Sequence, residues 1–190
     1  LLRRQGEGLE QSEIERQIAE RLPTLRDAFL RRLVSRRMDD AFVRESLALY
    51  ELTFAGDWHQ VAVLALPRQE GGPMRQLVST VSIANLCREA LGEAVVFPLD
   101  ASRLTLICSR TEEHPLDFNA LKRMVDAALD VPVALGAGAM ARGLDGLRRS
   151  YAEALRAVNC HPFLGAQQAI YYQDLGTVES DPVWMDSAHE

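Results

Sequence analysis

VALGAG at residues 133–138 is a short run of small and apolar residues, and GLRRSYAEALRAV follows it at 146–158. The first run predicts a strand over 131–135 that leads into the loop Gly136-Ala137-Gly138. The second repeats apolar residues at spacings of three and four, which predicts an amphipathic helix over 144–158. In the segment AIYYQDL at 169–175, the part 169–172 predicts a last strand. Together these segments set the C-terminal half of the fold.

Upstream of this stretch, strand and helix patterns alternate. HQVAVLAL at 59–66 is a near-continuous apolar run, which is typical of a central strand buried on both faces. Two further strands, 94–97 and 104–108, are separated by a hairpin turn around Pro98 and Asp100. Helices are predicted over 116–129 and over 74–91, the latter ending at Gly92 with an apolar stripe of Leu77, Val81, Ala84, Cys87 and Leu91.

Three helices are predicted before the first strand. One covers 9–22, Pro23 breaks or kinks the chain, and a second covers 24–36. Asp39 and Asp40 are N-cap candidates for a third helix over about 41–53, which Gly56 ends. An apolar stripe crosses the first two helices at spacings of four, four, three and four, comprising Ile14, Ile18, Leu22, Leu25 and Phe29.

The resulting order, β-α-β-β-α-β-α-β, predicts an α+β fold. Its first six elements form a ferredoxin-like βαββαβ core, to which a helix and an edge strand are added. We expect the helices to lie on one face of the sheet. The domain boundaries follow: N-terminal connector helices over 1–55, the α+β domain over 56–175 and a C-terminal linker over 176–190.

Composition narrows the class of protein. The 190 residues are 47% hydrophobic and 25% charged, which excludes a disordered or collagen-like chain. The net charge is −6; residues 1–50 hold ten arginines and nine acids, a balance of +1, so the remainder carries −7. An acidic domain is a poor general nucleic-acid binder. The basic cluster Arg31, Arg32, Arg36 and Arg37 favours a solvated helix face over a phosphate contact.

The cysteines and the hydropathy pattern indicate a cytoplasmic protein. Cys87, Cys108 and Cys160 form no CxxC pair, and the first two fall in buried-looking elements, as in a reducing compartment. No apolar run reaches the length of a membrane span, so no membrane contact by this stretch is expected. The sequence begins at Leu1 inside a helical pattern, which suggests a piece of a longer protein.

The element order and the segments at 133–138, 146–158 and 169–175 resemble the diguanylate cyclase (GGDEF) domain. They are similar to a divergent branch of it that lies in the middle of AraC-type bacterial transcription regulators, including two-component response regulators. PTLRDAFLRRLVS at 23–35 resembles the helix that precedes this domain there, so the likeness spans about residues 20–175. It implies an upstream receiver or sensor and a downstream helix-turn-helix unit, outside this chain, through which the parent protein binds DNA.

The catalytic motif of that family is missing. The resemblance would require an acid at the end of the first strand and a Gly-Gly-Asp-Glu-Phe turn between the second and third, to hold Mg²⁺. Here the first strand ends in Ala65-Leu66-Pro67-Arg68, and the hairpin 97–102 reads FPLDAS, with only Asp100 acidic. One carboxylate cannot assemble a two-metal site. We therefore expect no enzymatic activity, no metal and no cofactor.

Two functions compete. The leading one is a non-catalytic regulatory domain that acts as a homodimer, paired through the stripe from Ile14 to Phe29. The alternative is a small-molecule or nucleotide sensor that uses the decayed cyclase pocket between hairpin 97–103 and the helix starting near Met74. Its phosphate-holding candidates are Arg68, Arg75 and Arg103. An enzyme of another class has no positive feature behind it.

The other candidate groups favour structural roles. Gly136-Ala137-Gly138 lacks the third glycine of a nucleotide loop and predicts close packing instead. Cys160-His161 is a poor chelating pair, and no nucleophile stands at motif spacing from His59 or His114. Asn85 and Glu89 share one helix face, which predicts a polar contact with a neighbouring helix. Tyr151 is expected to be a core anchor and Glu153 a surface acid. Trp58 and Trp184 are expected to pack over the core edges.

Overall fold

A computed structural model describes the backbone of residues 2–176, with side chains at residue 8 and over 10–176. The chain divides into two compact units, Leu1–Leu52 and Thr53–Glu190. The roles predicted for residues 1–55, as connector helices, and for residues 56–175, as the α+β domain, stay predictions. The predicted linker lies, apart from Gly176, outside the described residues, as does Trp184.

The first unit contains α1 (Leu2–Ser35) and α2 (Asp40–Leu49). The predicted interruption at Pro23 is wrong as a break, because α1 is one 34-residue helix with Pro23 inside it. A proline in a helix removes one hydrogen bond and costs about 3 kcal/mol. The long helical segments on both sides continue through it, as in other proline-containing helices.

Helix α2 corresponds to the third predicted helix. It begins as predicted and ends earlier than predicted. The Asp39 carboxylate accepts hydrogen bonds from the backbone N–H groups of Ala41 and Phe42, at 3.0 and 3.2 Å, which confirms the N-cap. Gly56 does not end the helix. Instead the chain leaves it after Leu49, and Glu51 takes the left-handed conformation with φ of 52°.

The second unit is a mixed sheet with helices. Its elements in chain order are β1 (Trp58–Ala65), α3 (Pro73–Leu91), β2 (Val95–Pro98), β3 (Arg103–Arg110), α4 (Asn119–Leu129), β4 (Ala134–Ala137), β5 (Ala141–Arg142), α5 (Gly143–Asn159), α6 (His161–Leu164), β6 (Ile170–Tyr171) and α7 (Tyr172–Leu175). The strand order is β2-β3-β1-β4-β6, with β5 paired to β1. Only β4 and β6 pair in parallel among the described strands. The predicted α+β fold with its ferredoxin-like order is confirmed.

Helices cover both faces of this sheet, so the expectation of a single covered face is wrong. Alternate strand residues such as Leu64, Leu106 and Leu135 form one core cluster with side chains of α3 and α4. The opposite face of β4 meets α5, because a Cβ at Gly136 would lie 2.2 Å from the Val158 backbone nitrogen. Hydrophobic periodicity gives the buried side of a helix but not the sheet face that it covers.

Helix α3 is rotated relative to the prediction. Ala84 and Cys87 are buried as expected, whereas Leu77 and Val81 are 56% and 51% exposed. The small side chains of Ala84 and Cys87, together with Ile83, form the surface that packs toward the sheet core. Burial raises the pKa of the Cys87 thiol to about 12, and that of Cys108 likewise, so both cysteines behave as small core residues.

Candidate functional site

Three segments converge where the family motif would stand: the end of β1, the β2–β3 turn and the first turns of α3. The backbone N–H of Leu66 donates to the Ser102 carbonyl at 2.7 Å, which joins the end of β1 to the turn. The Thr80 hydroxyl donates to the Ala101 carbonyl at 3.3 Å and joins α3 to the same turn. The fold therefore brings together the segments that sequence reasoning singled out.

Asp100 organises the β2–β3 turn. Its Oδ1 accepts backbone hydrogen bonds from Ser102 and Arg103, both at 2.9 Å, and its Oδ2 lies 2.6 Å from Arg103 Nη2. Burial alone would raise the pKa of Asp100, but the hydrogen bonds from Arg103 and Ser102 lower it below its usual value. The one acid of the turn is thus already committed to the turn itself, which confirms the predicted hairpin.

No other carboxylate stands beside Asp100 on the segments that the family motif occupies. The segment that leaves β1 reads Ala65-Leu66-Pro67-Arg68, without an acid. Within residues 2–176, no cluster of three or more histidine, cysteine, aspartate or glutamate side chains is placed to hold a metal ion. Mg²⁺ bound between triphosphates takes several hard oxygen ligands, and on these segments the side chain of Asp100 supplies the carboxylate oxygens.

The three candidate arginines lie on the three converging segments, in different settings. Arg103 is paired with Asp100 and about one-third exposed. Arg75 packs over the loop before α3, since a Cβ at Gly71 would lie 2.9 Å from its Cδ. Arg68 is exposed just after β1. Arg103 is the one of the three whose guanidinium is held by an internal partner, and it lies toward α5: burial raises the pKa of the Tyr151 hydroxyl, and the Arg103 charge opposes this rise. Arg75 belongs to α3, whose side chains pack on the opposite face of the sheet.

Two buried polar atoms near this region have no hydrogen-bond partner in the described structure. They are Nε2 of Gln76 and the hydroxyl oxygen of Ser79, both on α3. The other end of the Gln76 amide accepts a 2.7 Å hydrogen bond from the Gln69 backbone N–H. Sequence reasoning missed both residues, because a single polar residue on a helix carries no sign of the loop that will cover it.

The prediction of a strand over 131–135 followed by a loop at 136–138 is wrong in its bounds, because Gly136 and Ala137 belong to β4. The segment packs closely, as predicted, although its partner is helix α5. A Cβ at Gly138 would lie 2.0 Å from the Ser150 carbonyl oxygen. The Ser150 hydroxyl, in turn, accepts a 2.9 Å hydrogen bond from the buried Val61 N–H of β1. The small and polar residues of the 133–158 pattern therefore fix a helix on a sheet.

Glu153 and Gln60 belong to the same assembly. The Glu153 carboxylate accepts the Ala139 N–H at 2.8 Å, so the prediction of a plain surface acid is wrong. Tyr151 is buried, as a core anchor should be. The buried Gln60 amide donates to the Gly138 carbonyl and accepts from Leu116 N–H. Sequence reasoning did not single out Gln60, which follows His59 at the start of an otherwise apolar strand pattern.

The other predicted polar pairs have local partners. Asn85 Oδ1 accepts from Arg88 Nη1 at 2.9 Å within α3, so the expected contact of Asn85 with a neighbouring helix is wrong. Cys160 and His161 lie at the start of α6, where sequence reasoning placed a loop, and His161 Nδ1 is 3.0 Å from the Val158 carbonyl oxygen. Trp58 opens β1.

His59 is buried at the start of β1. Its Nδ1 lies 2.7 Å from the Ser109 hydroxyl, and its ring meets Phe54 edge-on at a centroid distance of 5.1 Å. Burial lowers the pKa of His59, while the Asp57 carboxylate acts weakly in the opposite direction. The ring therefore packs in the interior and is bonded to the Ser109 hydroxyl of the neighbouring strand.

We expect this histidine to make stability depend on pH. Because its pKa in the folded state lies below the unfolded value near 6.5, the unfolded chain binds the proton first. The free energy of unfolding should fall as the pH drops below about 6.5, by at most about 1.4 kcal/mol per pH unit for one proton. Urea unfolding of wild type and of a His59→Gln variant across pH 5–8 measures it. A wild-type slope that persists in the variant contradicts this origin.

The dimerisation candidates on α1 divide into two groups. Ile14, Ile18 and Leu25 are more than half exposed, and Leu22 is half-buried. Phe29 is buried, with its ring 5.6 Å from that of Tyr50 and 6.4 Å from that of Phe42. Phe29 therefore packs inside its own unit and is not available to a second copy.

No helix within the described residues 2–176 is long and apolar enough to cross a membrane.

In the first unit, the exposed Arg36 and Arg37 lie just past the α1 helix, and the Arg32 guanidinium lies 5.9 Å from the Phe42 ring centroid. The arginine cluster thus includes one member that packs on an aromatic ring.

Comparison with known proteins identifies one family. The sequence model of the GGDEF-like domain matches residues 35–160. Among solved structures, the chain is similar to the active GGEEF domain of a diguanylate cyclase from Vibrio cholerae, with 10% sequence identity and a TM-score of 0.49. That likeness covers 70% of this chain and 89% of the other. No curated protein matches the chain.

Proposed function

Because this chain belongs to the GGDEF-like domain family, we propose that it is a non-catalytic regulatory domain that transmits a signal. The observation that carries the proposal is the composition of the converging segments. The end of β1 has no acid, and the single acid of the β2–β3 turn is used by Arg103 and Ser102. A cyclase needs carboxylates there that are free to hold metal.

In this proposal the domain couples an upstream receiver or sensor to a downstream DNA-binding unit of an AraC-type regulator. That context is supported by the sequence resemblance over 20–175. The exposed stripe of α1 supports a homodimer, since an amphipathic helix without a covered apolar face lacks the packing that stabilises helices. A change in helix pairing then passes a rotation or separation to the DNA-binding units.

Turnover of GTP tests the non-catalytic part. Purified protein with GTP and Mg²⁺ or Mn²⁺ is expected to form no cyclic di-GMP above a blank without protein, as measured by chromatography and mass spectrometry. An active diguanylate cyclase in the same buffer is the positive control. An Asp100→Asn variant is the matched negative control. Product that forms with wild type and disappears with Asp100→Asn sinks the proposal.

Transcription tests the regulatory part. In the full-length parent regulator, Ile18→Asp places a charge in the exposed stripe and is expected to abolish the signal-dependent change in reporter output. Glu13→Gln, on the same helix but outside the stripe, is the control and should leave that change intact. An Ile18→Asp regulator that still responds normally contradicts transmission through α1.

A nucleotide sensor is the second candidate. The buried, unpartnered amide of Gln76 and hydroxyl of Ser79 beside the three arginine-bearing segments favour it. Calorimetric titration with GTP and with cyclic di-GMP is expected to show binding that weakens about tenfold in Arg68→Ala and Arg75→Ala variants, since each removes one phosphate partner. No heat signal at millimolar ligand excludes this candidate.

A further inference from the structure

The exposed stripe of α1 has a defined repeat. Its apolar residues, together with the buried Phe29 and Leu33 that continue the pattern, recur at spacings of four, four, three, four and four, and are Ile14, Ile18, Leu22, Leu25, Phe29 and Leu33. That is a period of eleven residues, or 3.67 residues per turn, which keeps a stripe nearly parallel to the axis of a straight helix. Two such helices can remain in contact over 14–25 without the left-handed winding that a heptad repeat imposes.

The charges beside the stripe come in two pairs with the same spacing. Glu15 and Arg26 are eleven residues apart and lie on one flank, while Glu10 and Arg21 lie on the other flank. Each flank therefore carries one acid toward the N-terminus and one arginine toward the C-terminus. Within the chain, Arg26 Nη1 lies 4.0 Å from Asp27 Oδ1, and Glu15 accepts a 3.3 Å hydrogen bond from the Gln11 amide. Arg16 pairs with Glu13 and Glu20 away from the stripe.

This arrangement distinguishes the two orientations of a self-pair. In a parallel pair, a residue on one flank faces the residue about five positions later on the opposite flank of the second copy, as g and e positions do in coiled coils. Glu10 would then face Glu15 of the second copy, and Arg21 would face its Arg26, so both contacts repel. In an antiparallel pair, like flanks meet, and Glu10 faces an arginine of the second copy, as does Glu15.

We infer that residues 10–26 of α1 pair with the same segment of a second copy as an antiparallel two-helix contact with its two-fold axis at Ile18. This deepens the homodimer of the proposed function and rests on it. The axis stacks Ile18 on its own copy, Ile14 on Leu22 and Gln11 on Leu25. It covers every exposed member of the stripe. It sets Glu10 about 7.5 Å along the axis from Arg21 of the second copy, and Glu15 equally far from its Arg26, compared with about 9 Å between the two copies of Glu15.

Disulfide trapping in the full chain tests the orientation. On a Cys160→Ser background, Ile18→Cys should cross-link to itself, whereas Gln11→Cys and Leu25→Cys should each fail alone and cross-link when mixed. In the antiparallel pair, the two copies of residue 11 are separated by about 21 Å along the axis, at 1.5 Å per residue, too far for a disulfide. Cross-linking of Gln11→Cys alone overturns the antiparallel orientation.

Charge reversal gives an independent readout. Glu10→Arg with Glu15→Arg should raise the dimer dissociation constant by about tenfold in sedimentation equilibrium, because four attractive pairs become repulsive. In a parallel pair the facing charges stay alike and the constant should not change. Adding Arg21→Glu and Arg26→Glu restores opposite charges and should restore wild-type affinity; an unchanged constant in the first variant overturns the antiparallel pair.

Different results would overturn the homodimer and the antiparallel orientation of its helices. A wild-type chain that sediments as a monomer at high concentration, with no cross-linking of Ile18→Cys, overturns the homodimer and the self-pair together. A wild-type dimer that cross-links at Gln11→Cys alone overturns only the orientation and leaves the homodimer standing.

Discussion

Alanine at Gly136 or at Gly138 is expected to destabilise the second unit by about 3 kcal/mol or more, the upper range for overpacking. At Gly136 the added Cβ would lie 2.2 Å from the Val158 backbone nitrogen and 2.6 Å from the Ala154 carbonyl oxygen. At Gly138 it would lie 2.0 Å from the Ser150 carbonyl oxygen. These neighbours are helix backbone, so relief requires α5 to move away from the sheet as a whole.

That displacement would break further contacts. The Ser150 hydroxyl would be pulled from the Val61 N–H, and the Glu153 carboxylate from the Ala139 N–H. Each leaves a donor without its partner, and a buried unpartnered donor costs about 1–3 kcal/mol. Part of the penalty therefore arises from hydrogen bonds rather than from the methyl group.

Thermal unfolding measures the effect, with an expected drop in Tm of about 10 °C for a domain of this size. Gly8→Ala is the control, because a Cβ there meets nothing within 4 Å and the residue is inside α1. Alanine is favoured over glycine in a helix, so this variant should be neutral or slightly more stable. Gly136→Ala and Gly138→Ala proteins that melt with wild type would refute close α5 packing.

The same segment illustrates what the sequence can predict. The strand, the glycines and the amphipathic helix at 133–158 follow from local pattern, as does the Asp100 turn, because their causes lie within a few residues. The sheet face that α5 covers does not, since it depends on the crossover. Nor do the partners of Gln60 or Glu153, each of which bonds to a backbone group far along the chain or across a loop.

The α1 helix illustrates the opposite error. Pro23 is a local helix-breaking signal, and the structure overrides it because the chain is helical on both sides. At the candidate site, the arginines follow from composition, but the internal use of Asp100 by Arg103 depends on side-chain geometry. Sequence reasoning therefore found the converging segments and missed the buried amide and hydroxyl on α3.

Loss of the Asp126 charge is expected to cost more stability than loss of the Lys122 charge. Lys122 is the single lysine of the chain, and its side chain is 1% exposed, with Nζ 2.6 Å from Asp126 Oδ2. The Asp126 side chain is 26% exposed, and its Oδ1 also accepts the Val133 N–H at 2.8 Å. Water can therefore reach the carboxylate but hardly reaches the ammonium.

The two single variants separate these contributions. Asp126→Asn keeps an acceptor for Val133 and leaves the buried ammonium without a counter-charge, which should cost about 3–5 kcal/mol. Lys122→Met keeps the apolar stem. The Asp126 carboxylate is still hydrated and still accepts the Val133 N–H, so a loss of about 1–2 kcal/mol in the free energy of unfolding is expected. Urea unfolding of both proteins gives the comparison.

The double variant and a chemical probe complete the test. Lys122→Met with Asp126→Asn removes both charges, and it should be more stable than Asp126→Asn alone, because the residues act as a pair. Since the chain has one lysine, an amine reagent reports on Lys122 alone beside the N-terminus. Folded wild type should be labelled slowly at Lys122 and Asp126→Asn faster. Equal costs for the two single variants, with equal labelling, would mean that Asp126 does not compensate the buried charge.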